Sequence, residues 1–234
     1  MTLRGWFVTG TDTGVGKTLI SAALLHGLAQ QGLRCAGLKP VAAGVTPPER
    51  INEDVHLLHQ ASTIALEPHE VGPCQLREPC APTIAAALEG RTIDRAQLKQ
   101  TAMTLAARTD ILIIEGVGGF CVPLGADWDS ADLACDYGLP VILVVGLRLG
   151  GINHALLTAQ AVAQRGLPLA GWIGNTIAAP MSAPMPHLKE NLATLTHELH
   201  RRHGAPCLGV VPWVEAAMPE VIAKSLNLEA LLPH

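Results

Sequence analysis

The sequence predicts a single α/β domain, residues 1–234, built on a doubly wound, mostly parallel sheet with helices on both faces. Short apolar runs alternate with amphipathic helical patterns along the chain. The run ILII at 111–114 is apolar at every position, which indicates a strand buried on both faces. The 234 residues, of which 49% are hydrophobic, can bury a substantial core and fit one domain better than two.

Strands and helices are predicted in alternation. The first helix repeats apolar residues at three- and four-residue steps and is expected to end at Gly32. Glycines, prolines and small residues concentrate in 40–54, 116–130 and 175–186, which are predicted loops. The predicted strands are 6–9, 34–38, 111–114, 141–145, 169–173 and 208–211, and the predicted helices are 17–31, 95–108, 151–165 and 187–203.

The composition indicates which class of partner the chain binds. A net charge of -4 with 16 Lys and Arg disfavours a nucleic-acid surface and favours a small molecule. No apolar run is long enough to span a bilayer and no signal-peptide pattern opens the sequence, so a cytoplasmic protein with no membrane partner is expected.

The six cysteines include no C-x-x-C pair and are expected to be reduced, largely buried thiols. His197, His200 and His203 fit a solvated helix face better than a metal site.

The segment FVTGTDTGVGKT at 7–18 is typical of a phosphate-binding P-loop, because it runs from a strand through a glycine-rich turn into a helix. Backbone amides in such a turn converge on an anion at the helix N-terminus. Lys17 can reach the outer phosphates, and the Thr18 hydroxyl can ligate Mg2+. A strict G-x-x-x-x-G-K-[ST] motif would have glycine in place of Thr11, whereas here the first glycine is Gly10. A nucleoside triphosphate site and a P-loop NTPase-like sheet are therefore predicted; the alternative is a tight turn that binds nothing.

An acid follows the third apolar run, in the segment EGVGG at 115–119. P-loop proteins normally keep their second magnesium contact at such a strand end. Glu115 is therefore predicted to be a metal ligand, the alternative being a carboxylate that caps the next turn. Gly116, Gly118 and Gly119 would let the backbone approach phosphates or substrate closely.

A lysine follows the second predicted strand, in KPVAAG at 39–44. Ligands of doubly wound sheets bind beyond the carboxyl ends of the strands, so Lys39 is predicted to be a second cation of the site. A solvated surface lysine is the alternative. Asp54 is either an acid that opens a helix or a further Mg2+ carboxylate.

Two further segments are weaker candidates. Asn175 follows a predicted strand, and its amide can donate to and accept from a purine edge, although turn-forming asparagines are common. The segment GGINH at 150–154 opens a helix whose exposed amides could hold a carboxylate or phosphate.

Taken together, these segments resemble the dethiobiotin synthetase family. The shared strings are GTDTGVGKT at 10–18, KPVAAG at 39–44, EGVGG at 115–119 and GGINHALLT at 150–158, in family order from residue 7 to about Trp213. The resemblance implies an enzyme, an ATP-dependent ligase with ATP and Mg2+ as cofactors. It also implies the reaction, in which CO2 closes a cyclic urea on 7,8-diaminononanoate to give dethiobiotin, ADP and phosphate in biotin biosynthesis, through a carbamate and a carbamic-phosphoric anhydride.

The resemblance implies a role for each matching residue. By this resemblance, Lys17 and Lys39 neutralise charge that develops on carbamate and phosphoryl oxygens. The implied catalytic residues are Lys39, Lys17 and Thr13; the magnesium ligands are Thr18, Asp54 and Glu115; the nucleotide and cofactor contacts are Gly14, Val15, Gly16, Lys17, Thr18, Asp54, Glu115, Gly116, Val117, Gly118, Asn175, Thr176, Val211, Pro212 and Trp213; the substrate contacts are Ala43, Gly118, Gly150, Gly151, Ile152 and Asn153.

The family arrangement also implies a homodimer, in which the helix start at 150–153 receives the substrate carboxylate from the neighbouring subunit. Two positions depart from the family pattern. Ala43 stands where the family commonly carries a serine that contacts the substrate, so one hydroxyl contact is missing. Arg148 stands where lysine also occurs, and it keeps the charge.

Two other classes of protein share parts of this pattern. P-loop switch ATPases that position chromosomes or division sites carry a signature lysine where this chain has Asp12, and many add a C-terminal amphipathic helix that is not found after Trp213. Cobyrinate-type amidoligases usually add a glutaminase domain, for which 234 residues leave no room. A free-standing ligase that uses CO2 is therefore favoured.

Overall fold

The computed structural model describes residues 3–45, 51–179 and 186–231. Within these residues the strands are β1 (Gly5–Gly10), β2 (Cys35–Leu38), β3 (Val41–Ala43), β4 (Cys74–Leu76), β5 (Ile111–Glu115), β6 (Val141–Gly146), β7 (Leu169–Asn175) and β8 (Cys207–Val211). The helices are α1 (Lys17–Ala29), α2 (Glu53–Ala61), α3 (Pro68–Val71), α4 (Pro82–Leu88), α5 (Arg95–Ala106), α6 (Ser130–Tyr137), α7 (Gly151–Gln164), α8 (Leu188–His203) and α9 (Pro219–Ala223).

Six of the described strands form one parallel sheet, in the order β2-β5-β1-β6-β7-β8. The connections that follow the neighbouring strands β1 and β5 run in opposite directions across the sheet. The chain goes from β1 to β2 at one edge, and from β5 to β6 toward the other edge. In open α/β sheets, ligands bind at the carboxyl ends of strands that diverge in this way. The predicted doubly wound, mostly parallel sheet is confirmed.

Successive strand residues point to opposite faces of the sheet, and both faces are buried. Phe7 and Leu112 pack in a cluster with α5 and α6, whereas Val8 and Ile113 pack in a second cluster with α1 and α9. A third cluster joins Trp172 of β7 to α7 and α8. Strands that are apolar at every position are therefore covered on both sides, as the run at 111–114 indicates.

Some local predictions were wrong. The predicted loop at 40–54 contains β3, which pairs in parallel with β4 as a separate two-stranded sheet, and it also contains the start of α2. Helix α1 ends at Ala29, and the left-handed Gly32 lies beyond its C-cap. All six cysteines are free, but only Cys35 and Cys74 are buried. Residues 180–185 of the predicted loop at 175–186 lie outside the described residues. In the described part of the chain, no helix has the length and apolar character needed to cross a bilayer.

Candidate active site

A cleft of about 980 Å³ opens at the carboxyl edge of the sheet. The P-loop forms part of its wall, and the segment 79–82, before and at the start of α4, forms another part. Among the predicted site residues, its lining includes Thr13, Gly14, Gly16, Lys17, Thr18, Lys39, Ala43, Asp54, Glu115, Val117 and Gly118. The fold thus brings together, at one place, residues from four separate segments of the sequence.

The P-loop turn depends on tertiary contacts at its glycines. Gly16 has a φ of 87° and is the N-cap of α1. A β-carbon at Gly10 would lie 2.6 Å from a methyl carbon of Val15, so the side chain of Val15 requires glycine at this position. This contact gives a physical reason for glycine at position 10. The Nζ of Lys17 donates to the backbone oxygen of Asp12 at 2.9 Å, within the loop.

Lys39 lies at the centre of a buried polar cluster. Leu38 pairs with Ile114 in the sheet, so the next residues, Lys39 and Glu115, extend side by side from neighbouring strands. The Nζ of Lys39 contacts Glu115 Oε1 at 2.5 Å and Asp54 Oδ2 at 2.9 Å. Lys39 is 3% exposed and Glu115 is fully buried. A solvated surface lysine, the alternative left open by the sequence, is excluded.

Asp54 lies at the start of a helix and also contacts other residues of the cleft. It lies in the first turn of α2, and its Oδ1 accepts a hydrogen bond from the Thr18 hydroxyl at 2.6 Å. Its Oδ2 forms the ion pair with Lys39. A partly exposed acid at the start of a helix is thus also an ion-pair partner of the buried Lys39.

The electrostatics of the two lysines differ. Burial lowers the pKa of Lys17 to about 8, and the neighbouring charge of Lys39 adds to this effect. Burial alone would also lower the pKa of Lys39, but the carboxylates of Glu115 and Asp54 outweigh it, so the pKa of Lys39 is raised. The same lysine holds the pKa of Asp54 below its usual value against the opposing effect of burial. Lys39 therefore remains a cation at neutral pH.

The oxygen atoms around Thr18 fit a magnesium ion. Its hydroxyl lies 2.6 Å from Asp54 Oδ1 and 2.9 Å from Glu115 Oε1, yet it has one hydrogen and can donate to one carboxylate at a time. The other oxygen of Glu115, Oε2, is buried and has no hydrogen-bond partner in the described structure. Within the described ranges no three His, Cys, Asp or Glu side chains converge. Mg2+ commonly uses one or two carboxylates together with phosphate and water oxygens, so these residues fit it.

A second pocket of about 190 Å³ adjoins the P-loop and shares Gly14, Gly16 and Leu19 with the main cleft. Asn175 is 6% exposed, and its Nδ2 donates to the backbone oxygen of Val15 at 2.8 Å. Asn175 therefore fastens the P-loop to β7 as well as lining the pocket. The other predicted nucleotide contacts in this lining are Thr176, Val211, Pro212 and Trp213.

The segment 150–153 does not reach the main cleft of its own chain. Gly150 is the N-cap of α7 with a φ of 86°, and Gly150, Gly151 and Ile152 line a separate cavity of about 80 Å³. The preceding residue, Leu149, is 99% exposed. An ion pair of 2.6 Å between Arg148 and Asp12 links this segment to the P-loop.

Two features of the site were not predicted from the sequence. The wall at 79–82 carries no recognisable motif. Asn52, which is 7% exposed, caps α2 beside Asp54. An asparagine directly before two acids and a helical pattern is a known helix-start signal that could have identified it.

The chain is similar to known proteins along most of its length. A family model described as an AAA domain matches residues 4–221. The curated ATP-dependent dethiobiotin synthetase BioD of Aromatoleum aromaticum is 50% identical over 227 residues, which cover 96% of this chain and 97% of that protein.

Solved structures show the same fold. The septum site-determining protein MinD of Pyrococcus horikoshii, complexed with Mg-ADP, aligns with a TM-score of 0.55 at 15% identity over 98% of this chain and 89% of its own. MinD in the MinC:MinD complex of Aquifex aeolicus aligns with a TM-score of 0.53 at 16% identity over 96% and 87%. At these identities the likeness concerns the fold alone.

Proposed function

The chain belongs to the dethiobiotin synthetase family, and from this premise we propose that it is an ATP-dependent ligase that uses CO2 and Mg2+ to close a cyclic urea on 7,8-diaminononanoate. The products are dethiobiotin, ADP and phosphate. The observation that carries the proposal is the cleft in which Lys17, Lys39 and Glu115 lie together beside a pocket on the far side of the P-loop.

The proposed reaction has three steps. One amine of the substrate attacks the carbon of CO2 and loses a proton, which gives a carbamate. A carbamate oxygen attacks the γ-phosphorus, and the bond from that phosphorus to ADP breaks. The second amine then attacks the carbonyl carbon of the mixed anhydride and loses a proton, and phosphate leaves as the ring closes.

The residues of the cleft supply charge stabilisation. Lys17, at the start of α1, would contact the phosphates in place of the Asp12 backbone oxygen, and Thr13 lies in the same turn. Lys39, held as a cation by two carboxylates, would balance charge on carbamate and phosphoryl oxygens. Fixed charges of this kind need no rearrangement when the transition state forms.

Thr18, Asp54 and Glu115 are the proposed magnesium ligands. Bound there, the ion would neutralise phosphate oxygens and polarise the γ-phosphoryl group. Gly116 contributes differently, because its backbone oxygen accepts a hydrogen bond from Lys39 at 3.2 Å. Val117 and Gly118 line the cleft beside them.

The nucleotide base is proposed to occupy the pocket between Asn175 and the segment Val211 to Trp213. Trp213 is 40% exposed at the rim, so its ring is available to a planar ligand. The phosphates would then extend over the P-loop glycines that both cavities share.

A homodimer is proposed to complete the substrate site. Gly150 to Asn153 open α7 away from the cleft of their own chain, where a substrate carboxylate bound by the neighbouring subunit could meet the helix N-terminus. Leu149 and Leu157 are 99% and 57% exposed on this part of the surface, as expected for residues that a partner covers.

The test measures ADP release and dethiobiotin mass with ATP, Mg2+ and bicarbonate, with and without 7,8-diaminononanoate. Diamine-dependent ADP release that equals dethiobiotin formation, and that stops when EDTA removes Mg2+, would support the proposal. ADP release indifferent to the diamine would instead favour a switch ATPase or an amidoligase. Absence of ADP release would contradict the P-loop assignment as well.

A further inference from the structure

Asn52 connects two parts of the cleft that are separate in the sequence. Its Oδ1 accepts a hydrogen bond from the backbone N–H of Asp54 at 3.0 Å. Its Nδ2 donates to the backbone oxygen of Ala43 at 3.1 Å, with a longer contact of 3.5 Å to that of Gly44. One side chain thus contacts both the helix turn that carries Asp54 and the strand end that carries Ala43.

A second set of contacts holds Asn52 itself. Its backbone N–H donates to Gln75 Oε1 at 2.8 Å, and Gln75 Nε2 donates to the backbone oxygen of Gly72 at 3.1 Å. Gln75 lies on β4 and pairs with Ala42 of β3. Asn52 therefore joins α2, β3 and β4, and it is 7% exposed.

These contacts exceed what a helix cap requires. Serine, threonine and aspartate also cap helices, but an amide supplies an acceptor and a donor on one planar group. Asp94 at the start of α5 shows the simpler case, because its carboxylate accepts from Gln97 N at 3.0 Å and the residue is exposed. The donor half of Asn52 serves Ala43, which lines the cleft.

We propose that Asn52 is a positioning residue that fixes Asp54 for the metal and the Ala43–Gly44 backbone for the diamine. This inference rests on the proposed function, in which Asp54 is a magnesium ligand and Ala43 contacts the substrate. The acceptor half of the amide sets the helix turn of Asp54, and the donor half sets the strand end. The two halves can therefore be separated by mutation.

The test compares N52S, N52A and the control D94A in the full-length protein. Serine keeps a capping oxygen and loses the amide donor, whereas alanine loses both. D94A removes a cap of the same kind far from the cluster of Lys39. Three quantities are measured: Mn2+ affinity by electron paramagnetic resonance in the presence of ADP, the KM for 7,8-diaminononanoate, and the melting temperature.

N52A is expected to weaken Mn2+ binding about 2- to 30-fold, the range that corresponds to the loss of a helix cap on the backbone of Asp54. N52S is expected to keep Mn2+ affinity close to wild type and to raise the diamine KM about 2- to 12-fold, the range for one hydrogen bond. D94A should lower the melting temperature and leave both affinities unchanged.

N52A and N52S variants that melt lower but match D94A in Mn2+ affinity and diamine KM would overturn the inference, because Asn52 would then be a simple cap. N52S decides the matter if N52A does not fold. Wild-type protein that binds Mn2+ with ADP but forms no dethiobiotin would overturn the proposed reaction, whereas an active wild type with unaffected N52 variants would overturn this inference alone.

Discussion

The G16A variant tests how tertiary contacts shape the P-loop. Gly16 and Gly14 both have left-handed backbones, with φ of 87° and 72°. A β-carbon at Gly16 would lie 2.2 Å from Asn175 Nδ2, whereas one at Gly14 would meet nothing within 4 Å. The two alanine variants therefore share the cost of a left-handed alanine, about 1–2 kcal/mol. G16A alone must also displace Asn175.

Displacing Asn175 breaks its hydrogen bond to the backbone oxygen of Val15 and leaves that buried oxygen unpaired. The extra cost is about 2 kcal/mol. In a protein of this size such a loss lowers the melting temperature by about 4–8 °C. We therefore expect G16A to melt lower than G14A by about this interval when thermal unfolding is followed by circular dichroism without nucleotide. Equal melting temperatures would show that the contact between Gly16 and Asn175 does not constrain the P-loop.

Three further predictions concern the chemistry of the cleft. K39A is expected to reduce kcat about 100- to 1000-fold, because it removes a cation positioned to stabilise developing charge. It also leaves the buried Glu115 without its ion-pair partner, so kcat is measured on protein whose fold is verified. Near-normal turnover would remove Lys39 from the mechanism. The pKa of Lys17 is about 8 without ligand and should rise beside phosphates, so ATP binding should take up a proton above pH 8 and weaken as the pH rises further. Calorimetry in buffers of different ionisation enthalpy measures this uptake, which K17M should abolish. A43S, which restores the family hydroxyl at the lining of the cleft, should lower the diamine KM about 2- to 12-fold without changing the KM for ATP.

The sequence predicted the long strands well and the short ones poorly. All six strands of the main sheet were located, because their residues are mostly apolar and most of the strands are buried on both faces. The three residues of β3 are too few to show a period, and they were assigned to a loop. Burial of single small residues was equally unpredictable, since the exposed thiols of Cys80, Cys121 and Cys135 have no distinctive local pattern.

The sequence by itself determined the local structure of the P-loop, which consists of a strand, a glycine-rich turn and the helix that begins at Lys17. Only the tertiary structure decided which charged groups surround Lys39. Its ion-pair partner Glu115 is 76 residues away in the chain, and the two meet because β2 and β5 are neighbours in the sheet. Local sequence fixes backbone geometry over a few residues, whereas strand order and burial determine which distant charges meet out of water and so keep Lys39 a cation.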